Sequence, residues 1–116
     1  MPLVSVIIPA YNRPHMLKEA VASVVAQTLR DHEIIIVLNS ATSETSIVAR
    51  QLIDDPKIRV VEMARSKLPA ARNFGMSHAR GTWIAFLDDD DIWLPTKLEI
   101  QLAAAAETNA DLVTCN

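Results

Sequence analysis

Leu3-Val4-Ser5-Val6-Ile7-Ile8, followed at once by Pro9, is a β-branched run with no helical period. Such a run reads as a strand buried on both faces, the kind found inside a parallel sheet. After the polar turn Ala10-Tyr11-Asn12-Arg13, Pro14 stands where a first helical turn tolerates proline. Leu17, Ala20, Val21, Val24 and Val25 then recur at three-and-four spacing, which predicts an amphipathic helix.

The alternation continues to the end of the chain. Residues 33–38 read as a second buried strand, and Thr42 or Ser43 can cap a helix carrying Ile47, Val48, Leu52 and Ile53, stopped by Asp54-Asp55-Pro56. Residues 58–63 predict a third strand, residues 68–79 a helix with Pro69 early, and Gly81 a stop before a fourth strand over residues 82–87. Asp88-Asp89-Asp90-Asp91 then leads through Ile92-Trp93-Leu94 to Pro95, a helix with Leu98, Leu102 and Ala105, and a fifth strand over residues 111–115. Strands alternating with helices imply right-handed crossovers: an α/β class of Rossmann-like βα units around a mostly parallel central sheet. With 116 residues, no linker and no low-complexity tract, residues 1–116 form one domain.

Composition narrows the function. Half the residues are hydrophobic and 22% are charged, the balance of a globular chain and unlike a disordered one. Eleven Lys and Arg against 14 Asp and Glu give a net charge of -3 with no basic stripe, which disfavours a nucleic-acid partner. Cys115 is the single cysteine, so neither an internal disulfide nor a structural zinc site is available, and a reducing, cytoplasmic compartment fits. Pro9 interrupts the first apolar run, so no signal peptide or membrane span is expected. Only Gly75 and Gly81 occur, so the glycine-rich loops that grip phosphate through backbone amides are missing.

In open parallel sheets, ligands bind outside the carboxyl ends of the strands. Those ends carry Pro9-Ala10-Tyr11-Asn12, Asn39-Ser40, Arg65-Ser66-Lys67 and the four aspartates. In an extended segment alternate side chains share a face, so Asp88 and Asp90 can address one ligand while Asp89 points elsewhere. Such oxygens suit magnesium or manganese, which would bring the phosphate grip that the glycines cannot. The plainer reading of the same residues is a solvated turn whose charge complements the N-terminus of the next helix. Trp93 could seal one side of a pocket or simply cover the sheet. His15, His32 and His78 read as structural or solvent-exposed, and Met63 and Met76 as core filling.

Three stretches together resemble the N-terminal half of a family 2 glycosyltransferase of the GT-A fold. They are VSVIIPAYNR from Val4, LPAARNFG from Leu68 and GTWIAFLDDDDIWLPTKLE from Gly81, in the right order and strand context. The resemblance implies a metal-dependent transferase domain that binds a nucleoside diphosphate-sugar, UDP-sugar foremost, for inverting transfer to a saccharide, lipid or protein acceptor. By the same match Pro9, Ala10 and Tyr11 would lie against base and ribose, and Asn39 would take the place of the base-reading acid. Asp88-Asp89-Asp90 matches the DxD motif. Asp90 would be the principal metal ligand, with Asp88 or Asp89 reaching the ribose or a metal-bound water. Asp88 is the second candidate ligand for the manganese or magnesium cofactor. Arg72, in the Ala-Arg-Asn segment, could contact the nucleotide or pair with the aspartates.

Two departures stand out. The family usually shows Asp-Asp-Gly-Ser-Thr-Asp after the second strand, where this chain has Leu38-Asn39-Ser40-Ala41-Thr42-Ser43. The acceptor half and catalytic base also lie downstream of the DxD motif. Glu99, Glu107 and Asp111 are the only acids after Asp91, and none is a convincing base. The chain therefore reads as a truncated domain of a longer transferase, with membrane association open through parts not in it. A cut after the fifth strand should expose apolar surface and favour a homo-oligomer. The competing readings are a non-catalytic nucleotide-binding or assembly module and a magnesium-binding receiver domain. The latter fits poorly, because its acidic pair and phospho-acceptor would fall on Pro9-Ala10-Tyr11 and Ala64-Arg65.

Overall fold

The computed structural model describes residues 2–108. Four strands, β1 (Val4–Ala10), β2 (His32–Asn39), β3 (Ile58–Met63) and β4 (Trp83–Phe86), alternate with helices α1 (Pro14–Val25), α2 (Ser43–Leu52), α3 (Leu68–Ser77) and α4 (Lys97–Thr108). All strand pairs are parallel, in the order β3-β2-β1-β4. The fifth strand expected over residues 111–115, with Cys115, lies outside the described residues.

Both central strands are buried along their whole length. Alternate residues feed two cores. Val4, Val6, Ile8 and Ala10 with Ile34, Ile36 and Leu38 pack against Leu17, Ala20, Val21 and Val24 of α1, Ala49 of α2, and Trp93 and Leu98. On the other face Ile7, Ile35 and Val37 meet Ala71 of α3, joined by the partly buried Phe74 and Ile84. Gly75 permits that second contact, because a Cβ there would come within 2.9 Å of Val37 Cγ2 and closer still to Ile7. Trp93 covers the sheet, only 8% exposed, and its backbone N–H donates to Ser23 Oγ.

β1 runs through Pro9 rather than ending before it. Residues two apart face the same neighbour, and Ile7 faces β4, its carbonyl accepting the Leu87 N–H at 3.0 Å. Pro9 faces the same way, beyond the last paired residue of β4, so its missing N–H costs no ladder bond. Helix α3 stops at Ser77, two residues before the expected end, and tightens through His78 N–H to Gly75 C=O and Ala79 N–H to Met76 C=O. Gly81 is therefore no helix stop. A Cβ on it would lie 2.6 Å from the Ser5 nitrogen and 2.8 Å from the Val4 carbonyl carbon, so close approach to β1 selects the glycine. Four apolar assignments also change: Val25, Ile47, Ile53 and Met76 are exposed, Ile47 most of all at 58%, while Thr45 of α2 is buried. Thr45 gains its place through the cap, since Thr42 Oγ1 accepts the Thr45 N–H and pairs with its hydroxyl.

A polar cluster ties the amino ends of the strands together. The Glu33 carboxylate accepts from Ser5 Oγ at 2.5 Å, Arg59 Nη2 at 2.8 Å and the Arg80 N–H at 2.7 Å. Ser5 Oγ in turn accepts the Gly81 N–H at 2.8 Å. Gln27 does comparable work just beyond the C-terminus of α1. Fully buried, it donates to the carbonyls of Ser23 and Leu94 and accepts the Leu98 N–H. Segment 93–98 is thus stapled to α1, which fixes the far side of the acidic turn.

Candidate functional site

The chain passes from β1 to β2 on one side of the sheet and returns to place β4 on the other side of β1. Loops diverge at such a reversal and leave a crevice at the carboxyl ends of the strands. An open cavity of about 1030 Å³ occupies that position. It is lined by residues 9–13, Asn39, residues 65–68 and residues 88–90. Of the residues expected at a site, Pro9, Ala10, Tyr11, Asn39, Asp88, Asp89 and Asp90 line it. Arg72 does not, and reaches the acidic corner from α3 by pairing with Asp88 at 3.3 Å.

The aspartates form a turn, not the extended segment expected, closed by the Asp91 N–H on the Asp88 carbonyl at 3.1 Å. Asp88 and Asp90 still share one side, now with Asp91, and one carboxylate oxygen of each lies within 4.8 Å of the others. Asp89 is set apart beside the β1–α1 turn. Burial pushes its carboxyl above the usual range and the charges of Asp90 and Asp88 add to this, while the Tyr11 N–H and the Arg13 guanidinium pull the other way. Three clustered carboxylates are an all-oxygen donor set. That chemistry fits magnesium or manganese, with water or phosphate completing the coordination.

Two arginines balance the corner: Arg13 Nη1 lies 2.5 Å from Asp90 Oδ2 and 4.0 Å from Asp89 Oδ1, and Arg72 holds Asp88. Arg72 also lies over the Phe86 ring at 5.4 Å, and its Nε is buried without a partner among the described residues. Across the cavity the Arg65 guanidinium stacks on the Tyr11 ring at 3.8 Å. The loop that carries Arg65 is pinned by Asn39, which donates from Nδ2 to the Ser66 carbonyl at 2.8 Å and accepts the Ser66 N–H on Oδ1 at 2.9 Å. A carboxylate at position 39 could not donate the first of these bonds. The next residue, Ser40, adopts φ 52°, a left-handed conformation that favours glycine, at the place where the resembled pattern carries glycine.

Asn12, Arg13, Ser66, Lys67 and Leu68 line the cavity although only strand-end position marked some of them in the sequence. Asp91 joins the carboxylate cluster because the segment turns, which alternation along a strand could not reveal. Arg13 had a legible signal in retrospect: a basic residue in the turn after β1, facing the strand end that carries the acids.

The model of the family described as glycosyl transferase family 2 matches residues 5–116. The chain belongs to that family. Among curated relatives, this family 2 chain is 42% identical over 106 residues to an uncharacterised glycosyltransferase of Rickettsia felis, covering 91% of the chain and 18% of the relative. It is 33% identical over 115 residues to an Escherichia coli UDP-Glc:α-D-GlcNAc-diphosphoundecaprenol β-1,3-glucosyltransferase, WfgD, covering 98% and 45%. The chain therefore spans less than half the length of these relatives. Solved structures agree on the fold. Staphylococcus aureus TarS superposes with a TM-score of 0.82 at 24% identity over 92% of the chain and 33% of TarS. A Pyrobaculum calidifontis mannosyltransferase in complex with GDP-Man and Mn2+ gives 0.77 at 28% identity over 95% and 33%. The family 2 chain has the truncated GT-A architecture that its sequence resembles.

Proposed function

We propose that this chain is the donor-holding part of a metal-dependent, inverting glycosyltransferase, and that its cavity takes a nucleoside diphosphate-sugar with a divalent cation. The observation that carries the reading is the cluster of Asp88, Asp90 and Asp91 at the rim of a cavity that opens at the carboxyl ends of β1 and β4. WfgD, whose name gives UDP-Glc as donor, and the mannosyltransferase in complex with GDP-Man and Mn2+ support the substrate class. The first favours a UDP-sugar.

In this reading Pro9, Ala10 and Tyr11 pack against the base and ribose, with the remaining Asn39 lone pair and amide hydrogen turned to the base. Asp90 and Asp88, with Asp91, would hold manganese or magnesium. When bound, that cation offsets the charge developing on the departing diphosphate. Arg72 pairs with Asp88 and orients it, and the guanidinium can serve phosphate oxygens as well. Among the described residues none is assigned as the base that deprotonates the acceptor hydroxyl. Glu99 is engaged by the Thr28 hydroxyl at 2.6 Å, and neither it nor Glu107 lines the cavity. Self-association through the exposed apolar side chains of Phe86, Ile92 and Leu94 is part of the same proposal. Among the described residues no helix is long and apolar enough to cross a membrane.

Calorimetric titration with UDP, GDP, CDP and dTDP, each with and without Mn2+, tests the reading. UDP is expected to bind most tightly, and Mn2+ to strengthen it at least about tenfold, since two charged phosphates and the carboxylates otherwise repel. Nucleotide affinity indifferent to the metal would overturn the assignment.

A further inference from the structure

We propose that Arg13 is an internal counter-cation that occupies Asp90 until a diphosphate draws it away, so that metal and nucleotide bind as a coupled pair. The inference rests on the donor-site reading above and adds to it an order imposed by this chain's own residues. Arg13 and Asp90 both line the cavity, and their 2.5 Å ion pair engages an acid that cation binding would need. A divalent ion entering beside that guanidinium meets a like charge as well as a competitor.

The two arginines of the corner are not equivalent. Arg72 is carried by α3, lies over Phe86 and holds Asp88 only at 3.3 Å. Arg13 precedes α1 as its N-cap residue, makes no side-chain cap bond, and is about half exposed at 52%. Its half-exposed guanidinium can leave Asp90 without breaking a helix cap. Pairs this exposed are weak in water, so exchange is inexpensive, and a diphosphate offers the planar guanidinium a better acceptor than one carboxylate. Drawing Arg13 onto phosphate releases Asp90 at the moment when a metal is useful. By linkage, the metal must then strengthen the nucleotide by the same factor that the nucleotide strengthens the metal.

Equilibrium dialysis of Mn2+ against the protein, with UDP–Mn2+ complexation in solution accounted for, tests this on Arg13→Gln, Arg13→Lys and Arg50→Gln. Arg50 pairs with Glu62 on the outer surface at 2.7 Å, so its variant removes the same charge elsewhere. Without nucleotide, Arg13→Gln is expected to bind Mn2+ about fivefold more tightly than the unaltered chain, the scale of one exposed ion pair. Arg13→Lys and Arg50→Gln should stay within twofold of it. UDP should raise Mn2+ affinity at least about tenfold in the unaltered chain and by a smaller factor in Arg13→Gln. Equal or weaker Mn2+ binding by Arg13→Gln, with UDP-enhanced binding intact in the unaltered chain, overturns the role of Arg13 alone. Absence of Mn2+ uptake by every form, with or without UDP, overturns the donor-site reading and this inference with it.

Discussion

Glu33→Ala should lower the stability of this chain by about 3 kcal/mol, because removing one partner of a buried ion pair strands the others. Three donors, the Ser5 hydroxyl, the Arg59 guanidinium and the Arg80 N–H, converge on this carboxylate at the amino ends of three strands. Arg59 is 30% exposed and regains some water, which keeps the loss toward the lower end of the range for buried pairs. Urea unfolding would show a lower midpoint with an unchanged slope, and Tm would fall by about 10 °C. A loss below about 1 kcal/mol would mean that the cluster is hydrated and does not tie the strands.

The same group sets part of the acid response. Burial pushes the Glu33 carboxyl up, but the hydrogen bonds from Ser5, Arg80 and Arg59 and the Arg59 charge outweigh it and hold the group below the usual carboxylate range. A folded pKa below the unfolded one gives stability that is complete above about pH 4.5 and is lost as pH falls through the folded value. Burial of His32 lowers its pKa, so the unfolded chain takes that proton first and stability begins to fall below about pH 6.5. Asp89, raised, works in the opposite sense and gains stability on protonation. Glu33→Ala should therefore flatten the decline below about pH 4.5 and leave the decline that begins near pH 6.5 in place.

Asp90→Ala should abolish most of the manganese-dependent part of nucleotide affinity, a loss of about tenfold or more, and strengthen metal-free binding by up to about fivefold, because Arg13 is then released to phosphate. Asp90 is half-exposed at 42% and, among the described residues, is partnered by Arg13 alone, so the fold should tolerate the change. Circular dichroism and an unchanged Tm would establish that any loss arises at the site. Retention of the full manganese effect in this variant would remove Asp90 from the metal site.

How much of this was legible depends on where burial is two-sided. β1 and β2 carry the buried apolar runs Val6 to Ile8 and Ile34 to Leu38 because both faces are covered there. Helix α1 was readable because its apolar stripe faces a complete core, whereas α2 buries Thr45 and Ala49 and exposes Ile47, so its strongest apolar residues misreport the inner face. The strand-end rule found the cavity, and the acidic run found its corner. It could not show that residues 88–91 turn, because that follows from anchoring Leu87 to β1 and segment 93–98 to Gln27. Nor could it show that Asn39 is engaged by Ser66, a contact 27 residues away that only the assembled sheet brings about.

Crystals grown with UDP and Mn2+, with data collected near the manganese absorption edge, address the central claim most directly. The account predicts one anomalous peak among Asp88, Asp90 and Asp91, about 2.2 Å from the coordinating carboxylate oxygens and beside the diphosphate, with Arg13 turned from Asp90 toward phosphate. A nucleotide bound in the cavity with no manganese at that corner, or manganese located elsewhere, would contradict it.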